Sequence, residues 1–331
     1  MALFSRKGKN DEPRDAASDD AGRTDAGTAA TADSVELPAE VVPEVGISFS
    51  TFGAAAAVPS TTRPAAAPRG EASPASAMPD NAVLKSALSA LTAEPQNLDV
   101  MNVMRQALQG HLYVRVQGDA AALMASEKPL TLAVTTLDDK RFLLAFSGAS
   151  ALQDSVRADG DTATSAVAQP ARTVLQNVVA GPYEGLFLDH ATSGSRLILP
   201  TALIGKALEE SDPDFTIKTL LSAPRAASTA AAVVDALTRV NLWVAGNTDD
   251  EGRIGLAEAR SADGKRRLEV FSHPLEVIAL GRGDRPLPLS GEQVAKAVAS
   301  DPGITGVVVD PAGPWIELDR TELAPLIALA G

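Results

Sequence analysis

The sequence predicts an α/β protein of the α+β kind: two tandem homologous domains, each a mixed sheet with flanking helices, behind a disordered N-terminal tail. Three observations predict it. First, the stretch Asp139-Lys140-Arg141-Phe142-Leu143-Leu144-Ala145-Phe146-Ser147 returns as Gly264-Lys265-Arg266-Arg267-Leu268-Glu269-Val270-Phe271-Ser272. Each copy reads as a turn, Lys-Arg, a short apolar strand, Phe-Ser and a helix start. Second, other anchors recur in the same order. Leu112-Tyr113-Val114 is echoed by Leu242-Trp243-Val244, Gly185-Leu186-Phe187-Leu188-Asp189 by Gly306-Val307-Val308-Val309-Asp310, and Leu84-Lys85-Ser86 by Ile217-Lys218-Thr219. The offset narrows from 133 to 121 along the chain. Loops therefore shorten in the second copy, and the period lies far above the roughly 20–50 residues of stacking repeats. Third, residues 1–80 are dominated by Ala, Pro, Ser, Thr, Gly, Asp and Glu without periodicity. Such a segment buries too little apolar area to offset its ordering entropy. The expected division is a tail over 1–80 and domains over 81–211 and 212–331.

The elements follow in order. Within the tail, Val41 to Phe52 forms an apolar island in which Ile47 and Phe49 alternate with small residues, as in a strand, and which Phe52 closes. It reads either as a linear motif that adds to a sheet edge, in a partner or on the protein itself, or as a chance apolar patch in a linker. Val83, Leu84, Ala87, Leu88 and Leu91 fall at helical spacing. Asn97 or Asp99 can cap a second helix, which Gly110 stops. His111 to Val116 and Leu130 to Thr136 alternate as strands, and Leu137 to Lys140 turns the chain back into a third strand, giving a hairpin. Ser147 is placed to cap a helix carrying Leu152 and Val156. A weak strand over Thr164 to Ala168 precedes a helix opened by Pro170. Gly185 to Asp189 and Arg196 to Leu199 pair as strands, and Pro200 opens a last helix. The second copy repeats this order.

Bulk composition excludes several function classes. The chain has 331 residues, no cysteine and a net charge of −13. The acidic excess is spread along it: 7 basic and 12 acidic residues in 1–80, 10 and 14 in 81–213, and 12 and 16 in 214–331. No domain carries the basic excess that draws a protein to nucleic acid. Thiolate chemistry and disulfides are impossible. The start has no apolar run after its charges, so it is no secretory signal. No segment offers the 18 or more apolar residues of a spanning helix. Arg6, Lys7 and Lys9 are too few to anchor the chain on a membrane. A cytoplasmic protein is expected.

The chemistry-bearing residues form no recognised constellation. His111, His190 and His273 lie outside ligand spacing of one another, and no phosphate loop, nucleophile elbow or G-x-G-x-x-G occurs. No catalytic residue, metal or cofactor is expected. Asp189-His190 leaves a strand end, where α/β folds place sites, and Asp310 repeats the Asp. These three are pocket candidates against the plainer reading of an Asp that binds turn amides. Gly281-Arg282-Gly283-Asp284 reads as a turn, and Asp249-Asp250-Glu251 as a solvated loop. Ser147 and Ser272 read as helix caps. Phe146, Phe271, Tyr113 and Trp243 read as core anchors. Lys140-Arg141 and Lys265-Arg266 are the charged pair kept in both copies. They could meet an anionic or acidic partner, or simply keep a hairpin tip polar.

Leu112-Tyr113-Val114-Arg115-Val116, Phe142 to Ser147, Gly185 to Asp189 and Leu199-Pro200 resemble the anchors of the SseB-like family. The second copy matches more loosely, through Leu242-Trp243-Val244 and Phe271-Ser272, with Asp319 where the family pattern has proline. The resemblance spans about residues 98–210 and 230–331. It implies an α/β domain with no established reaction. The expected function is a non-enzymatic protein-interaction or scaffold protein with a protein partner. A small-ligand or amino-acid-related sensor, with a pocket between the copies, is the alternative, and an unrecognised enzyme the second.

Overall fold

The computed structural model describes residues 47–51 (as backbone), 80–248, 254–261 and 264–331. The rest of the expected tail, Phe52 and the acidic run 249–251 lie outside the described residues. The first strand, β1 (Ile47–Thr51), is the described part of the apolar island.

The first copy contains α1 (Ala82–Ser89), α2 (Asn97–Ala107), β2 (His111–Gln117), α3 (Ala120–Ala125), β3 (Thr131–Leu137), β4 (Lys140–Ala145), α4 (Ala149–Asp159), β5 (Thr164–Pro170), α5 (Ala171–Ala180), β6 (Gly185–Leu188), β7 (Leu197–Pro200) and α6 (Thr201–Glu209). The side chain of Asn81 caps α1 by accepting the Leu84 amide at 3.2 Å. Gly110 stops α2 at φ +68°, a conformation that suits a residue without Cβ. Helix α3 went unforeseen. Asp119 caps it, but only Ala120 is buried, so it has no apolar stripe to read. Pro170 and Pro200 sit one position before their helices, as N-caps rather than first helical residues.

The sheet order is β5-β2-β3-β4-β6-β7. β4 and β6 run parallel, while the other pairs are antiparallel. The second copy contains α7 (Thr216–Ser222), α8 (Thr229–Leu237), β8 (Leu242–Thr248), β9 (Ile254–Leu256), β10 (Glu258–Arg260), β11 (Arg266–Val270), α9 (Pro274–Ala279), β12 (Arg285–Leu289), α10 (Gly291–Ser300), β13 (Ile304–Val309), β14 (Ile316–Asp319) and α11 (Ala324–Ile327). Its strands run β12-β8-β9 and β10-β11-β13-β14, with β11 and β13 parallel. This is the same mixed topology, with the counterpart of β3 broken at Ala257. The Ala257 amide bonds the Ala245 carbonyl at 2.8 Å, and its carbonyl takes the Glu269 amide at 3.1 Å. In both copies a short bridge joins the strand carrying the first aromatic to the Phe-Ser end: Tyr113 with Phe146, and Trp243 with Phe271.

Geometry explains the repeated Gly-x-x-x-Asp. A Cβ on Gly185 would collide with the Leu199 carbonyl oxygen, and one on Gly306 with that of Leu318. The glycine lets the antiparallel neighbour approach. The Asp closes the other end of the strand, as described below. Each sheet has a large core on one face. In the first copy it includes Leu84, Leu108, Leu143, Leu175 and Leu186, and in the second Ile217, Leu237, Val270, Val294 and Val307. A smaller cluster lies under α4 (Tyr113, Phe146, Leu152) and another under α9 (Phe271, Val277). Phe215 and Leu275 pack into the first copy's large core although both follow residue 211.

Candidate functional site

Strand β3 carries the feature with most bearing on function. On one edge it meets β4 and, at Leu132, β2. On the other edge it receives β1, antiparallel, from Ile47 opposite Thr135 to Thr51 opposite Thr131. The two-residue turn Asp138-Asp139, with φ +50° and +60°, fixes the alternation of bonding along β3. Leu137 and Thr135 direct their backbone groups to β4, so Val134 and Leu132 direct theirs to β1. Ser48 and Ser50 stand opposite these two residues. Of the island candidates, Ile47 and Phe49 therefore lie on a strand docked to this edge, and Phe52 lies outside the described residues. In the second copy the counterpart of β3 pairs as β9 with β8 and as β10 with β11.

The Asp candidates clamp a strand to a helix start. Asp189 accepts the Ser147 amide at 2.8 Å and the Ser147 hydroxyl at 2.6 Å. Asp310 accepts the same two groups of Ser272 at 2.8 and 2.6 Å. Both Asp residues have positive φ and are buried. Burial raises the Asp189 carboxyl above its ordinary range. Burial, followed by the nearby Glu276, raises Asp310 to about 7. Ser147 and Ser272 are thus not helix caps. Their hydroxyls face the Asp, and the caps come from elsewhere. Asp80 accepts the Ala149 amide of α4 at 2.9 Å, and His273 Nδ1 accepts the Leu275 amide of α9 at 3.0 Å. His190 is buried between Phe146 and Phe187, and burial lowers its pKa to about 4.

The hairpin-tip residues differ between copies. Lys140 is exposed, and the Arg141 guanidinium lies 5.8 Å from the Tyr183 ring centroid. Lys265 is exposed, whereas Arg266 binds Glu258 through two 2.7 Å bonds and Asp301 at 2.9 Å. Arg282 and Asp284 of the Arg-Gly-Asp sequence pair with each other, and Arg282 also pairs with buried Glu269.

A buried charge cluster between the copies escaped the sequence reading. Arg105 of α2 donates to Glu276 of α9 and to the Gly313 carbonyl, each at 2.7 Å. Lys218 of α7 pairs with the other oxygen of Glu276. His273 Nε2 meets the Ala207 carbonyl of α6 at 2.9 Å. With Nδ1 accepting an amide, the ring is held neutral, and burial lowers its pKa to about 4. One signal was available. Glu276 stands among the apolar residues Pro274, Leu275 and Val277, all of them buried, and an acidic residue inside so apolar a run is placed for burial.

A cavity of about 820 Å³ lies where the chain passes between copies, lined by residues including Glu209, Asp212, Asp214, Arg239 and Trp243. Asp212 caps α7 there, accepting the Thr216 amide at 2.6 Å. Among the described residues no group of three or more His, Asp or Glu could hold a metal, and no helix is long and apolar enough to cross a membrane.

The model of the SseB protein N-terminal domain matches the chain twice, over residues 84–203 and 217–325. No curated protein and no solved structure matches it.

Proposed function

The chain belongs to the SseB family, with the family's N-terminal domain present twice, and from that premise we propose that it is a non-enzymatic protein-interaction or scaffold protein whose β3 edge accepts an extended strand. One observation supports this reading. The outer edge of β3 pairs with a strand from far outside its own sheet connections, over five consecutive residue positions. Main-chain pairing of this kind is how a sheet edge captures a peptide: the ladder supplies affinity and alternate side chains supply selectivity. The bonding groups of Leu132 and Val134 are the ones offered.

The test uses the full chain with Ser48→Pro and Ser50→Pro together, which removes two amide donors from β1. A fluorescein-labelled peptide of residues 41–52 is titrated against it. Saturable binding, absent for a peptide carrying the same two prolines, supports the acceptor edge. Equal behaviour of both peptides, or no binding, contradicts it.

The cavity beside residues 209–216 favours a second reading, a small-ligand or amino-acid-related sensor. A thermal-shift screen of amino acids and amines tests it. Stabilisation lost on Trp243→Ala favours the sensor, and no stabilisation by any compound counts against it.

A further inference from the structure

We infer that β1 is a displaceable latch: residues 47–51 occupy the β3 edge in cis and set the affinity with which a partner's strand can enter. The inference rests on the acceptor-edge reading above and adds regulation to it. The occupant to which it commits is an extended segment of a partner protein in which apolar residues alternate with small ones, because that is the chemistry of the strand seated there.

Several features of the chain suit a latch rather than a permanent seventh strand. β1 is five residues long, its partners being Thr131 to Thr135 alone. It pairs with β3 alone and with no other described strand of the sheet. The segment that joins β1 to Asp80, residues 52–79, is 28 residues long. At about 3.3 Å per residue it can span on the order of 90 Å, so the strand can leave the edge without disturbing α1. A partner strand must compete with β1 for the edge, and its apparent dissociation constant rises in inverse proportion to the fraction of chains with the edge open.

Sequence and register agree with a shared binding pattern. Ile47 and Phe49 alternate with Ser48 and Ser50, and the residue opposite Phe49 is Ala133. Val134 and Leu132, which direct their backbone groups to β1, stand opposite the two serines. A partner segment of the same pattern would meet the same donors and acceptors in the same register.

The experiment compares the wild-type full chain with the Ser48→Pro/Ser50→Pro chain in anisotropy titrations of the labelled 41–52 peptide. Phe49→Asp in the full chain, which leaves every amide of β1 in place, serves as an independent latch-weakening variant. The latch predicts that both variants bind the peptide at least about tenfold more tightly than wild type. Equal affinity for wild type and variants overturns the latch and leaves the acceptor edge standing. Absence of binding to all three chains overturns both.

Discussion

Arg105 on α2 and Glu276 on α9 are 171 positions apart in sequence and 2.7 Å apart in space. Lys218 holds the other carboxylate oxygen, and all three side chains are nearly inaccessible to water. The tandem copies are thus joined by a charge shared across their boundary, with Leu275 beside it in the first copy's core. Buried ion pairs add little net stability compared with an apolar substitute, but losing one partner strands the others. Glu276→Gln would leave two buried cations facing an amide. A loss of about 3–5 kcal/mol in urea unfolding is expected, and a loss below about 1 kcal/mol would show that water reaches the cluster.

Leu275 tests whether the copies unfold together. Leu275→Ala removes a buried side chain from the other copy's core, at a cost of about 2–5 kcal/mol. Both tryptophans, Trp243 and Trp315, lie in the second copy. Fluorescence therefore follows that copy, while far-ultraviolet circular dichroism follows both. The two transitions should coincide in wild type and separate in the variant.

Asp310 gives the clearest pH dependence. Its folded pKa, about 7, exceeds the unfolded carboxyl value of about 3.9. Its contribution is complete below about pH 4 and is lost as pH rises through about 7. His190 and His273 act in the opposite sense. Lowered from 6.5 to about 4, they contribute fully above pH 6.5 and lose that contribution as pH falls through about 4. Asp310→Asn removes only the first effect. Wild-type minus variant stability should fall with a slope approaching about 1.4 kcal/mol per pH unit between pH 4 and 7 and be flat above it. A flat difference throughout would mean that the Asp310 carboxyl titrates in the fold as it does in the unfolded chain.

Much of the architecture was legible because both copies solve the same packing problem. Gly185 and Gly306 recur because a carbonyl sits where a Cβ would go, and Asp189 and Asp310 because a Ser amide and hydroxyl need an acceptor. These are local demands that leave the same letters twice. What the sequence concealed is what the copies do not share. Ser147 and Ser272 looked like caps because serine before a helix commonly is one, yet Asp80 and His273 take that role from different places. The contact between Arg105 and Glu276 joins residues with no counterpart of the same charge in the other copy: the position matching Glu276 is Ala151, and that matching Arg105 is Asp235. Repetition could not reveal them. The apolar island was visible by its alternation, but pairing with β3 is a long-range choice that no local pattern specifies.

The acceptor edge makes a residue-level prediction. Leu132 and Val134 direct their amides to β1, while Thr135 and Leu137 direct theirs to β4. Amide hydrogen exchange read by NMR on the wild-type full chain and the Ser48→Pro/Ser50→Pro chain separates the two sets. The account predicts that Leu132 and Val134 lose protection in the variant and regain it when the 41–52 peptide is added, while Thr135 and Leu137 stay protected throughout. Unchanged protection of Leu132 and Val134 in the variant would contradict it.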